Sequence, residues 1–127
     1  MIEKGIKGRR EQTVTPEMSA ARIGSGLVEV FATPMMVALI EQTCLESVLP
    51  YLEEGQGTVG TLVNVTHVSA TPVGMRVWCE SELVDVDRRR LVFNVKAYDE
   101  AGLIGEGTHE RFIIDNAKFM DKIKNKG

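Results

Sequence analysis

Apolar and polar residues alternate through the second half of the chain. Met75, Val77, Cys79 and Leu83 fall on one side of an extended backbone, and Arg76, Glu80 and Glu82 fall on the other. Leu91, Phe93, Val95 and Ala97 repeat the pattern. A period of two is that of a half-buried strand, so strands are predicted over Met75 to Val86 and Arg90 to Tyr98. Thr58 to Ala70 and Leu103 to Ile114 read the same way, and Lys7 to Val14 is a further candidate. Asp87-Arg88-Arg89 and Asp99-Glu100-Ala101-Gly102 are polar turn segments between them. Consecutive strands joined by such short turns make an antiparallel meander.

One segment has a different period. Thr33-Pro34 reads as a helix start, with Thr33 as the cap and Pro34 at a position that needs no N–H. The helix is expected to run from Pro34 to about Leu49, where Pro50 stops it. Its first half, Met35 to Ile40, is apolar all round, which predicts burial on every side. In so short a chain only a sheet wrapped around the helix provides that. The expected class is therefore α+β, a long antiparallel sheet curled about one central helix, which is the hot-dog architecture. Lys118 to Lys126 reads as a short exposed terminal helix.

Composition narrows the function. The 127 residues are expected to form one domain, 1–127. Hydrophobic residues make up 43% and charged residues 26%, enough for both a core and a solvated surface. A formal net charge of -3 argues against nucleic acid as the partner. The cluster Lys4, Lys7, Arg9 and Arg10 reads as a solvated terminus. Cys44 and Cys79 lack the spacing of a metal site and sit in apolar stretches, as buried thiols do in a reducing compartment. The first ten residues carry no apolar signal core, and Met35 to Ile40 is too short to span a bilayer. The expectation is a cytoplasmic protein with neither metal nor cofactor.

Two titratable residues stand out. Glu41 shares a helix face with Val37, Cys44, Leu45 and Val48, and a carboxylate on an apolar face needs a partner. It is either a structural acid or a functional one. His67 closes a predicted strand and titrates near neutrality, so it suits proton exchange, although a packed histidine reads the same. His109 is its rival, on a strand face shared with Gly105, Gly107 and Arg111. Those glycines permit close approach of a ligand or of another backbone, or mark a bend. The G-x-G at Gly55 to Gly57 precedes a strand, contrary to a dinucleotide fingerprint, and no G-x-S-x-G elbow is present. Neither cysteine sits where a thiolate is favoured.

Taken in order, Val30-Phe31-Ala32-Thr33, Glu41 eight residues on, Gly57-Thr58-Val59-Gly60-Thr61, Val65-Thr66-His67-Val68-Ser69-Ala70-Thr71-Pro72 and Gly107-Thr108-His109-Glu110-Arg111 resemble the fluoroacetyl-CoA thioesterase family. Pro50-Tyr51-Leu52-Glu53 adds to the likeness, which runs from about Val30 to Phe119. The resemblance implies a homodimeric hot-dog enzyme that hydrolyses acyl-CoA without a metal, and leaves open whether dimers pair further into tetramers. It places the catalytic threonine, glutamate and histidine on Thr33, Glu41 and His67. It places the carbonyl-holding glycine on Gly60 and the functional arginine on Arg111. The family's fluoroacetate-selective member carries a lid phenylalanine where this chain has Leu27, so the resemblance implies thioester hydrolysis more firmly than fluoroacetyl selectivity.

The implied site poses a geometric problem. On a straight helix that begins at Thr33, Glu41 lies about 12 Å further along the axis. The two serve one reaction only if the helix starts later, the chain bends, or a partner subunit completes the site. Two alternatives to hydrolysis of a short-chain acyl-CoA stand beside it. One is a hot-dog hydratase or dehydratase, for which no further acid–base motif is found. The other is a non-catalytic acyl-CoA binding module, which loss of Glu41 or His67 would have favoured.

Overall fold

The computed structural model describes residues 2–127. Five strands form one antiparallel sheet: β1 (Lys7–Thr13), β2 (Gln56–His67), β3 (Arg76–Asp87), β4 (Arg90–Asp99) and β5 (Gly102–Asp115). Their spatial order is β1-β3-β4-β5-β2. Three helices complete the fold: α1 (Ala20–Ile23), α2 (Thr33–Val48) and α3 (Asn116–Lys124). Helix α2 packs chiefly against β1 and β3. Met36, Leu39, Ile40, Cys44 and Val48 of the helix meet Val77, Cys79, Leu83, Leu91, Phe93 and Val95 of the sheet in one apolar core. The strand alternation is as the hydropathy pattern predicts, with Val77, Cys79 and Leu83 inward and Glu80 and Glu82 outward.

Three expectations are corrected. The meander covers only β3, β4 and β5; β2 pairs with β5 at the far side of the sheet, because residues 68–75 carry the chain across before β3 begins. Thr33 is the first helical residue and not the cap; Ala32 occupies the cap position without a side-chain bond, and the Thr33 hydroxyl is engaged elsewhere. The helix does stop at Pro50 as expected: α2 ends at Val48, and Pro50 lies within the short 3-10 turn Leu49–Tyr51 that follows. The first half of α2 is also not enclosed on all sides. Met36, Leu39 and Ile40 are fully buried, but Met35, Val37 and Ala38 are only half-buried, because one sheet covers one flank of the helix.

The entry to α2 is pinned from below. Asp99, nearly fully buried at the end of β4, accepts a hydrogen bond from Thr71 Oγ1 at 2.7 Å and from the Ala101 N–H at 2.8 Å. The Thr71 carbonyl accepts from the Phe31 N–H at 2.8 Å. Phe31 is itself buried in the core, so the backbone just before Thr33 is fixed both by hydrogen bonds and by packing.

Candidate active site

The implied residues fall into two groups at different heights on α2. The first group is at the helix start. Thr33 Oγ1 lies 2.7 Å from His67 Nδ1. His67 reaches this point because it ends β2, and Thr33 because Phe31 is anchored to Thr71. Burial lowers the His67 pKa from its ordinary value, partly opposed by the backbone of Ser69, so the imidazole is neutral near pH 7. Its Nε2 is buried and has no hydrogen-bond partner within the chain. Thr33 and His67 line a cavity of about 320 Å³ with Gly26, Val28, Phe31 and Ser69. Leu27, the lid candidate, is 97% exposed between two lining residues and does not itself line the cavity.

The second group is two turns further along. The Glu41 carboxylate accepts from Arg111 NH1 at 3.5 Å. Arg111 is buried, and its other nitrogens are held by Thr58: Nε donates to Thr58 Oγ1 at 2.8 Å and NH2 to the Thr58 carbonyl at 3.0 Å. Arg111 NH1 also lies 3.2 Å from His109 Nε2. Burial lowers the arginine's pKa, while the charge of Glu41 opposes that shift; the group remains a cation at any working pH. Gly60 faces Arg111 across the β2–β5 ladder. A Cβ at Gly60 would stand 2.7 Å from Glu41 Oε2 and 3.3 Å from Arg111 NH1. Only a residue without a side chain lets the carboxylate rest against this backbone. The ladder slips between Gly60 and Leu62, a bulge of the kind that re-aims backbone beside functional sites.

Among the described residues, no hydrogen bond or ion pair joins the Thr33–His67 group to the Glu41–Arg111–Gly60 group. A helix that begins at Thr33 removes the late-start solution to the distance problem. Sequence reasoning missed Thr58. Its signal was only positional: two residues before Gly60, it projects from the same face of the strand. Gly105 is a packing residue, since a Cβ there would stand 2.5 Å from the Thr66 carbonyl and 2.8 Å from Met36 Sδ. The two cysteines are inert. Burial raises the Cys44 thiol far out of range and pushes Cys79 up to about 11. A larger groove, about 850 Å³, lies on the outer face of the sheet between Lys7, Arg9, Glu82 and Lys96, and contains none of these residues. Among the described residues, no cluster of three or more His, Cys, Asp or Glu is arranged to hold a metal. Among the described residues, no helix is long and apolar enough to cross a membrane.

An antiparallel sheet curled on one long helix defines the hot-dog class. The comparisons agree. The sequence model of the fluoroacetyl-CoA-specific thioesterases matches residues 14–117. A fluoroacetyl-CoA thioesterase of Streptantibioticus cattleyicolor is 48% identical over 98 residues, covering 77% of this chain and 70% of that protein. The solved structure of the fluoroacetyl-CoA thioesterase FlK superposes with a TM-score of 0.95 at 38% identity, covering 100% of this chain and 98% of that one. A thioesterase-superfamily protein of Thermus thermophilus superposes at 0.90 with 34% identity, covering 98% and 93%. This chain belongs to the fluoroacetyl-CoA-specific thioesterase family.

Proposed function

We propose that this protein, acting as one domain, hydrolyses a short-chain acyl-CoA to the free acid and CoA, with Glu41, His67 and Thr33 as catalytic residues and Gly60 and Arg111 as their support. The relatives are named for such thioesters, and a variant of FlK has been solved with fluoroacetate and CoA bound. The single observation that carries the reading is the Glu41 carboxylate seated against the backbone of Gly60 and held by a buried arginine. A thioester carbonyl bound there meets a carboxylate and a side-chain-free N–H together. Its oxygen gains negative charge as the carbon is attacked, and the Gly60 N–H stabilises that charge. Glu41 acts on the carbonyl carbon, either by taking a proton from water or by direct attack. The C–S bond then breaks, CoA departs as its thiolate and takes up a proton released by the attacking water, and neutral His67 orients that water. Thr33 orients the His67 ring through the bond to Nδ1.

The working unit is a dimer in this reading. The half-buried outer flank of α2 and the open edge of β2, where Leu62 is 42% and Val63 41% exposed, are surfaces a second copy covers. A second copy also brings its own Thr33–His67 group to the first copy's Glu41. Two free, buried cysteines suit a reducing compartment, and we place the protein in the cytoplasm.

The test is the release of free thiol from a panel of acyl-CoAs by the wild type and by Glu41→Gln. The amide keeps the size and the acceptor, so the fold is expected to survive while kcat falls by about a hundredfold or more. A folded Glu41→Gln with native kcat removes Glu41 from the chemistry. A wild type that binds every acyl-CoA and hydrolyses none makes the protein a binding module. Carrying out a single turnover in heavy-oxygen water separates the two roles of Glu41, since only direct attack leaves label in its carboxylate.

A further inference from the structure

We propose that His109 is a positioning residue that ties the Gly60 bulge to the Glu41 carboxylate through Arg111. The inference rests on the hydrolase reading given above and adds to it a residue that touches neither substrate nor reacting atoms.

His109 is completely buried on the inner face of β5 and stacks near Phe93, with ring centroids 6.3 Å apart. Both ring nitrogens are occupied. Nε2 is 3.2 Å from Arg111 NH1, and Nδ1 is 2.7 Å from the Leu62 carbonyl. A guanidinium has no lone pair to offer, so Nε2 accepts and carries no proton. A carbonyl only accepts, so Nδ1 carries the proton and donates. The two partners therefore specify one neutral tautomer.

Each bond ends on a part of the site. Leu62 is the first residue to rejoin the ladder after the slip that follows Gly60, so the Nδ1 bond fixes the bulge. The Nε2 bond fixes NH1, the one arginine nitrogen that faces Glu41. Thr58 holds Nε and NH2 but not NH1. The guanidinium is rigid and planar, so the Thr58 bonds set its plane, and the His109 bond adds a second restraint at NH1 itself beside the carboxylate. The charged groups around the imidazole are Arg111 and Glu110 on its own strand and Glu41 on α2. Burial and the adjacent guanidinium both hold His109 neutral, consistent with the assigned tautomer.

Three substitutions separate positioning from mere packing. His109→Gln reaches Arg111 with an acceptor but does not reproduce the short bond to Leu62. His109→Asn keeps a donor near Leu62 but stops short of Arg111. His109→Leu does neither. If His109 acts through Arg111, kcat falls by about tenfold to a hundredfold in the Asn and Leu variants, as for a reacting group displaced by about an ångström. KM should stay near the native value, and the Gln variant should exceed the Asn and Leu variants in kcat while falling short of the wild type by what the Leu62 bond contributes. A purely structural histidine gives the reverse ranking, with Asn at or above Gln and with kcat following the folded fraction. Native kcat in folded His109→Leu overturns the proposal. If that variant does not fold, the order of Gln and Asn decides alone. A wild type without thioesterase activity defeats the functional reading itself, whereas an active wild type with indifferent variants defeats only this inference.

Discussion

Glu41 Oε2 occupies the space that a Cβ on residue 60 would fill, 2.7 Å from its ideal position. The glycine and the glutamate are thus one fitted pair, joined across the interface between β2 and α2. The relationship has a direct consequence. In Gly60→Ala the atom that must move is the far end of a flexible carboxylate, not backbone. The fold should therefore tolerate the methyl, with a stability cost at or below the usual overpacking range of about 1–3 kcal/mol. The carboxylate, however, must leave its seat. Expected is a fall in kcat of about a hundredfold, the scale for misplacing a reacting group by an ångström. Thermal denaturation and steady-state kinetics on one purified variant check both halves, and native turnover would show that the seat does not matter.

A second expectation concerns pH and stability. His67 and His109 are both held below the ordinary histidine value of 6.5, in each case mainly by burial. In the folded protein they stay neutral where the unfolded chain already binds protons. Between the folded and unfolded pKa values the unfolded state therefore holds more protons, and stability rises with pH. The contribution is complete above the unfolded value, about 6.5, and is lost as pH falls through it toward the lowered folded values. Tm should drop as the pH is taken from about 7 to 5, and His109→Gln should lose part of that drop. A Tm that stays flat over this interval, or rises, contradicts a neutral buried pair.

Selectivity is the third point. Leu27 is 97% exposed beside the cavity that holds Thr33 and His67, and its chain neighbours Gly26 and Val28 line that cavity without an aromatic ring. A pocket that recognises an acyl group by shape separates fluoroacetyl from acetyl weakly. The ratio of kcat/KM for the two thioesters is expected to stay within about a hundredfold. A preference far beyond that range would place the gate at another residue. Leu27→Phe offers a complementary measurement, since a lid acting at this position should raise the ratio.

Much of this was readable in the chain, and the parts that were not share a cause. Alternation at Val77, Cys79, Leu83, Leu91, Phe93 and Val95 reports burial directly, so the strands and the inward face of the sheet were legible. The place of β2 was not. Its neighbour depends on where residues 68–75 carry the chain, and a local pattern holds no record of that path. The apolar run at Met35 to Ile40 was read as enclosed, yet Met35, Val37 and Ala38 are half-buried. Hydropathy records what a surface is eventually packed against, and it does not distinguish one's own sheet from another copy. Glu41 stood out on its apolar helix face while Thr33 came from the resemblance, and their separation along the helix followed from spacing alone. The strand face that His109 shares with Arg111 was legible, whereas the bonds from Arg111 to Thr58 and from His109 to Leu62 were not, because they cross between strands far apart in sequence.

That separation leads to the last prediction. Thr33 and Glu41 are eight residues apart on one helix, about 12 Å along its axis and about 80° around it. A thioester carbonyl is a few ångströms across, so one carbonyl does not contact both groups in a single chain. If each site takes Thr33 and His67 from one protomer and Glu41 with Arg111 and Gly60 from its partner, two dead variants should rescue each other. His67→Ala and Glu41→Gln are each expected to be nearly inactive as pure dimers. After mixing, unfolding and refolding together at equal amounts, about half the dimers carry one chain of each kind. In such a dimer one site holds both lesions and the other holds none. The mixture should therefore recover about a quarter of wild-type activity. Light scattering must show a species of twice the 14.0 kDa chain for the count to apply. If both groups serve one site within a single protomer, every site in the mixed dimer carries a lesion and no activity returns. A dimer that stays inactive after mixing, or a protein that is active as a monomer, would end the shared-site reading.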